Sequence, residues 1–234
     1  MSKLLALETA TPACSVALWL NGEITQQFEI APQRHSDILL DRVDKLLSDA
    51  GMNLKNLDAI AFGSGPGSFM GIRIATGVAQ GIAYGIDLPV IPVSTLQALA
   101  QVAYQKIKSE RVIAGWDARM DSIYWGVYQV DYRNIMQAIT GDHLNYPKDI
   151  EFLTKNEIGV GNAWALYRAS LSPDFPFIEK EIYPEAASVA MIAHQKFKQG
   201  DVLAPQKAEP TYIRETVTRS LKKKFEFNSV YKKP

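Results

Sequence analysis

Apolar residues first come in short runs and only later in longer periodic stretches. Leu4 to Leu7 is a continuous apolar run, Ser15 to Leu20 is a second, and Glu23 to Ile30 alternates loosely, so three short strands are expected. Asn21-Gly22 separates the last two. Both central positions of a two-residue hairpin turn need positive φ, which this pair tolerates. From Ser36 to Ala50 the period changes: Leu39, Val43, Leu46, Leu47 and Ala50 fall on one helical face, and Gly51 stands where a C-terminal cap belongs. "LDAIAFG" predicts a strand running into a glycine turn. A helix from Phe69 to Tyr84 and a strand "LPVIPV" follow. "STLQALAQVAYQKI" then opens with Ser94 and carries Gln97 three positions on, a capping-box pattern. This order implies a mixed sheet with helices packed on it.

From Arg111 the pattern becomes strand-rich again. "RVIAGWDARMDSIYWGVYQV" reads as strand, tight turn and strand, and "IGVGNAWALY" as a strand and turn into a helix. "PEAASVAMIAHQKFKQG" is a helix with Pro184 near its start and Gly200 at its end. The second half of the chain begins at about Arg111, and the length allows one large domain or two small ones.

With 234 residues, 47% of them hydrophobic, the chain can bury a substantial core. Net charge is zero but uneven: residues 211–234 hold seven basic and two acidic residues, against 18 and 23 in the rest. The lysine-rich end, Lys222–Lys224 with Lys232 and Lys233, reads either as a solvated tail or as a phosphate-contacting one. Cys14 is the only cysteine, so no intrachain disulfide forms. Glu8 interrupts the first apolar run before a signal-peptide core develops, and no apolar stretch reaches membrane-spanning length. A cytoplasmic protein that does not enter a membrane is expected.

The stretch "GSGPGSFMGIRIATGVAQG" poses the sharpest question. A phosphate-binding loop needs Lys and a hydroxyl residue after its last glycine, yet Gly67 is followed by Ser68-Phe69 and Gly71 by Ile72-Arg73. The dinucleotide pattern fails at Met70, and no nucleophile elbow fits. Gly65, Gly67, Ser68 and Gly71 therefore read as a degenerate phosphate loop, with no cofactor expected. The helix that follows places Arg73, Thr76, Gln80 and Tyr84 on one polar stripe. Small residues line both flanks: Gly71, Ala75, Ala79 and Ala83 on one, Gly77, Gly81 and Gly85 on the other. Each glycine inside a helix costs roughly 1 kcal/mol, which close packing must offset. The two flanks fit either a helix wedged between its own neighbours or one that meets another chain.

Candidate chemistry is sparse. His35, His143 and His194 lie far apart, and no pair of His or Cys has metal-ligand spacing. Asp117 and Asp121 bracket a predicted hairpin tip around Arg119. Cys14 falls in a strand, which favours a structural thiol over a nucleophile. No catalytic residue and no metal ligand is expected.

Four blocks in order resemble a known family: "LLALETATPACSVAL", "FGSGPGSFMGIRI" with "GVAQGIA" and "LPVIPVSTL", "DARMDSIYWGVY", and "AEPTYIR". They are similar to the bacterial tRNA threonylcarbamoyladenosine biosynthesis family TsaB, also called YeaZ, from about Lys3 to about Arg219. Glu8 stands where most of that family have Asp, and Met70 where Thr is usual. The resemblance implies an α/β actin-like (ASKHA, ribonuclease H-like) fold of two subdomains, 1–108 and 109–234, each a mixed sheet flanked by helices, the second with its last helix and basic tail able to pack back on the first. It also implies a subunit without an active site of its own. Such a subunit pairs with the catalytic paralogue TsaD and the ATPase TsaE, pairs with itself when alone, and meets tRNA only through the complex. The interface expected from it, together with the small flank, is Leu39, Val43, Leu46, Gly71, Ile72, Ala75, Ala79, Ile82 and Ala83. The alternatives are a stand-alone actin-like ATP-dependent kinase or transferase, or a glycoprotease-like metalloenzyme.

Overall fold

The structure, a computed structural model, describes residues 2–150, 157–178 and 182–214. The lysine-rich end lies outside the described residues. The first half carries strands β1 (Lys3–Glu8), β2 (Ala13–Leu20) and β3 (Glu23–Ile30), helix α1 (His35–Asp49), β4 (Ala59–Gly65), α2 (Phe69–Gly85), β5 (Val90–Ser94) and α3 (Thr95–Ile107). The second half adds β6 (Arg111–Arg119), β7 (Ser122–Val130), β8 (Met136–Ala138), β9 (His143–Asn145), β10 (Ile158–Val160), the short α4 (Ala163–Leu166) and α5 (Ala186–Lys198).

Two mixed sheets result, in the order β3-β2-β1-β4-β5 and β10-β6-β7-β8, with β9 also paired to β7. In the first, β1 to β3 form an antiparallel meander while β4 and β5 join β1 in parallel. The meander turns at Asn21-Gly22, whose φ values of 55° and 109° are those the pair was expected to supply. Leu5, Leu7, Val16 and Leu18 point to one face, where α1 and α2 cover them. Leu4, Ala6 and Ala17 point to the other, against α5. This alternation is the period-two pattern of a sheet buried on both sides.

Helix α3 ties the halves together. Leu96, Leu99, Val102 and Ala103 pack against Val112, Ala114, Tyr128 and Met136 of the second sheet, while Ala98 reaches the core of the first. Its start shows half of the expected capping box: the Ser94 hydroxyl accepts from the Gln97 backbone N–H, but the Gln97 side chain donates to the Met136 carbonyl at 2.7 Å. Buried Gln101 takes a β8 backbone N–H at 2.8 Å, from Met136, and donates to the Asn134 carbonyl at 3.0 Å. After the second sheet the chain returns to the first. Helix α5 lies across β1, β2 and β4, Leu203 bridges to Val90, and Thr211 N–H donates to the Ser64 carbonyl.

The interface expected from the sequence needs correcting at the level of residues. Ala75, Ala79 and Ala83 of α2 are fully buried, as are Leu39, Val43 and Leu46 of α1, all in one core with β1, β2 and β4. Gly71 and Ile72 are buried too, and Ile82 is half-buried. The alanine row is the side that lets α2 sit close on its own sheet, so these residues face inward. The polar stripe is also taken by the chain itself: Gln80 donates to the Pro205 carbonyl at 3.0 Å, and Thr76 is buried with its hydroxyl on the Ile72 carbonyl. What remains open is the glycine row. A Cβ at Gly77, Gly81 or Gly85 would meet nothing within 4 Å. Ala79→Arg should therefore fail in the monomer, losing at least about 3 kcal/mol by burying an unpaired charge. Thermal melting checks this; a variant that melts like the parent would show that the alanine row does not face the sheet.

Candidate functional site: the glycine turn, the cleft and the outer face of α2

The glycine turn after β4 meets the loop after β1. Ser68 N–H donates to the Ala10 carbonyl at 2.7 Å, and the Thr9 hydroxyl donates to the Gly71 carbonyl at 2.7 Å. A Cβ at Gly67 would lie 2.5 Å from the Ala10 oxygen, and one at Gly71 would overlap the Thr9 carbonyl oxygen. These glycines let two backbones touch. A phosphate cradle needs the amides at a helix start to face open space. Here Ser68 N–H is taken by Ala10, and Gly71 N–H faces the Ser68 hydroxyl at 3.4 Å. Gly65 serves the same packing from the other side, its left-handed φ of 108° bringing it against the Thr211 carbonyl. The four residues read as a degenerate phosphate loop form a structural seam.

Glu8 sits beneath that seam and is fully buried. One carboxyl oxygen accepts from Ala10 N–H at 2.6 Å, the other faces the Thr95 hydroxyl at 3.4 Å, and the group fills the space a Cβ at Gly63 would need. Burial raises its pKa from 4.5 to about 7, against the lowering effect of hydrogen bonds from Ala10, Thr95 and Thr9.

A cleft of about 770 Å³ opens beside the seam. Its walls come from the loop at Ala10–Pro12, the starts of α1 and α2, the β6–β7 hairpin with Trp116 and Met120, and the returning segment Thr211–Arg214. Arg214 donates to the carbonyls of Ala118 and Arg119, both at 3.3 Å. The returning segment therefore straps the cleft, bonded to Ser64 on one side and to the hairpin on the other. The hairpin tip has three successive positive-φ residues, Arg119, Met120 and Asp121. Asp117 holds it by accepting from Arg119 N–H and from the Tyr167 hydroxyl, both at 2.9 Å. That is what the carboxylate in this pair does, while Asp121 stands at the exposed tip.

The histidines are scattered and packed. His194 stacks on Trp19 and shares a hydrogen bond with the Ser2 hydroxyl, His143 packs on Trp125, and His35 is buried at the start of α1. Among the described residues no group of three His, Cys, Asp or Glu side chains is placed to hold a metal ion. Cys14 lies in β2 with its pKa pushed up to about 11 by burial, which keeps it a thiol. No helix among the described residues is long and apolar enough to cross a membrane.

The comparisons with known proteins bear on this geometry. A family model described as TsaD, tRNA N6-adenosine threonylcarbamoyltransferase, matches residues 23–222. The tRNA threonylcarbamoyladenosine biosynthesis protein TsaB of Escherichia coli K12 is 37% identical over 222 residues, 92% of this chain and 96% of that protein. The TsaB protein of Haemophilus influenzae is 36% identical, covering 92% and 94%. The solved structure of YeaZ from Pseudomonas aeruginosa superposes with a TM-score of 0.87 at 38% identity, over 91% of this chain and all of that one.

The chain belongs to the TsaB family. It therefore has the actin-like fold expected from the TsaB resemblance, in a TsaD-type domain whose glycine seam is closed. The strap Thr211–Arg214 is what sequence reasoning missed, while both flanks of α2 were seen without a choice between them. The "AEPTYIR" block signalled the strap only as a marker of the TsaB family.

Two measurements test the seam. Gly71→Ala should destabilise the fold by roughly 1–3 kcal/mol, because its Cβ must displace the Thr9 carbonyl; a denaturant titration reads this. For Glu8 the folded pKa is raised, so between pH 4.5 and about 7 the unfolded chain releases its proton while the folded chain keeps it. Stability should fall as pH rises through that window, by on the order of 3 kcal/mol in all. Glu8→Gln should flatten the fall in melting temperature over the same range, and an equally steep profile in the variant would place the titration elsewhere.

Proposed function

We propose that this chain is a non-catalytic partner subunit in the threonylcarbamoyl modification of tRNA at the adenosine beside the anticodon. In this reading it supports the catalytic subunit TsaD together with the ATPase TsaE, and pairs with itself when alone. The TsaB relatives carry the name of that biosynthesis. The observation that carries the subunit role is the outer face of α2. Three sides of the helix are already occupied, by its own sheet, by α1 and by the returning segment. The fourth presents Gly77 and Gly81 with open space above them and exposed Tyr84 beside them. Glycines in a solvated helix face cost stability with nothing to offset them, whereas a helix docking there could bring its backbone close. On α1, which shares that side of the sheet, Leu40 is an exposed large apolar side chain.

Gly81→Arg is the decisive variant. The new side chain meets open space in the monomer and improves helix propensity, so the protein should melt at or above the parent temperature. Association with TsaD and with itself should fall, because a large charge would intrude between the helices. Size-exclusion chromatography with light scattering, alone and with TsaD, reads the result. Normal assembly of this variant would place the interface elsewhere. Separately, stoichiometric ATP binding by calorimetry would favour the stand-alone kinase or transferase reading.

A further inference from the structure

The rim of the cleft carries exposed aromatic rings beside unpaired guanidinium groups. Phe69, Met70, Met120 and Tyr212 are 50%, 61%, 55% and 46% exposed, an unusual gathering of large apolar side chains in water. Arg73 lies with its guanidinium 3.7 Å from the Phe69 ring centroid and donates from Nε to the Tyr212 hydroxyl at 2.6 Å. The two rings are 5.9 Å apart. Arg214, on the strap, is held by neutral carbonyl oxygens. Neither Arg73 nor Arg214 joins any ion pair among the described residues. Among the described residues Asp117 is the one carboxylate lining the cleft, and Arg119 pairs with it. Among those residues the rim thus offers two guanidinium groups outside any ion pair, next to two half-exposed rings over which Arg73 lies.

Aromatic planes flanked by unpaired cations suit a ligand with flat bases and a negative backbone. We infer that this rim is a docking surface for single-stranded RNA, with a base stacking on Phe69 or Tyr212 and backbone phosphates meeting Arg73 and Arg214. A free nucleotide fits less well. A single nucleotide engages one ring and one guanidinium at a time, whereas Arg73 and Arg214 stand on separate walls of the cleft. The recognising groups lie on the outer rim, where a strand can pass across the surface. This inference rests on the proposed role in tRNA modification and gives that role a contact made by this chain itself.

Fluorescence anisotropy with the full chain tests it, using a labelled single-stranded oligoadenylate of about ten nucleotides and an RNA duplex of the same length. The single strand should bind more tightly than the duplex, and weaken with salt. Phe69→Ala and Tyr212→Ala should each cost about tenfold in affinity, the scale of one lost base stack. Arg73→Gln should also weaken binding and reduce the logarithmic salt slope by about 0.7. Phe69→Leu keeps apolar bulk without the ring, so a matching loss there separates stacking from misfolding, and melting curves check each variant. The inference is overturned if the single strand does not bind. It is also overturned if the rim variants bind like the parent while replacing Lys222, Lys223 and Lys224 by Gln abolishes binding, or if ATP binds the cleft more tightly than the RNA. Gly81→Arg should leave RNA binding unchanged, so failure of the partner face and failure of the rim remain distinct.

Discussion

The seam between the Thr9–Ala10 loop and the start of α2 is the constraint on which the rest of this molecule depends. Two backbones approach so closely that Gly67 and Gly71 leave no room for a side chain. Direct hydrogen bonds then fix the contact, from Ser68 N–H to Ala10 and from the Thr9 hydroxyl to Gly71. Buried Glu8 secures the same loop from below through Ala10 N–H. Because the seam seats the first turn of α2, it determines the rotation of the whole helix about its axis. With 3.6 residues per turn, fixing Gly71 inward also turns Ala75, Ala79 and Ala83 inward and Gly77 and Gly81 outward. One contact thereby decides which row of α2 packs on the sheet and which row stays open.

That rotation explains what the sequence could and could not say. Small residues on two flanks of α2 are visible in the periodicity, but the pattern is nearly symmetric between an alanine row and a glycine row. Helix propensity and hydropathy rank both rows as suited to close packing. The deciding information is a contact between residues 62 positions apart, Thr9 and Gly71, which no local pattern contains. The strap Thr211–Arg214 was hidden for the same reason, being an irregular segment whose partners, Ser64 and the hairpin carbonyls, are distant in sequence.

Features governed by local chemistry were legible. Asn21-Gly22 makes the hairpin because its backbone needs positive φ at both positions. Ser94 caps α3 because its hydroxyl reaches Gln97 N–H one turn on. Gly51 follows the last residues of α1 with the left-handed φ of 64° that such a position favours. The three-residue strands β8 and β9 escaped, since so few residues establish no period and owe their pairing to β7. Glu8 is a further case. The sequence marks it only as a break in an apolar run, whereas its partners show a packing and hydrogen-bonding role beneath the seam.

Besides the packing of α5 on the first sheet, hydrogen bonds tie the two halves together. Gln101 of α3 makes paired hydrogen bonds to the backbone around β8. Ser94, at the end of the first sheet, donates to Asp142 of the second half at 2.6 Å, in a buried cluster that includes Tyr128. The strap joins Ser64 to the β6–β7 hairpin across the cleft mouth. A hinge motion about the cleft would have to break charge-assisted or buried hydrogen bonds, each costing more than an exposed one because its groups lose their partners out of reach of water. The strap and the hairpin are thereby held against both walls of the cleft. Surfaces held in place in this way bind a partner at less ordering cost than mobile ones.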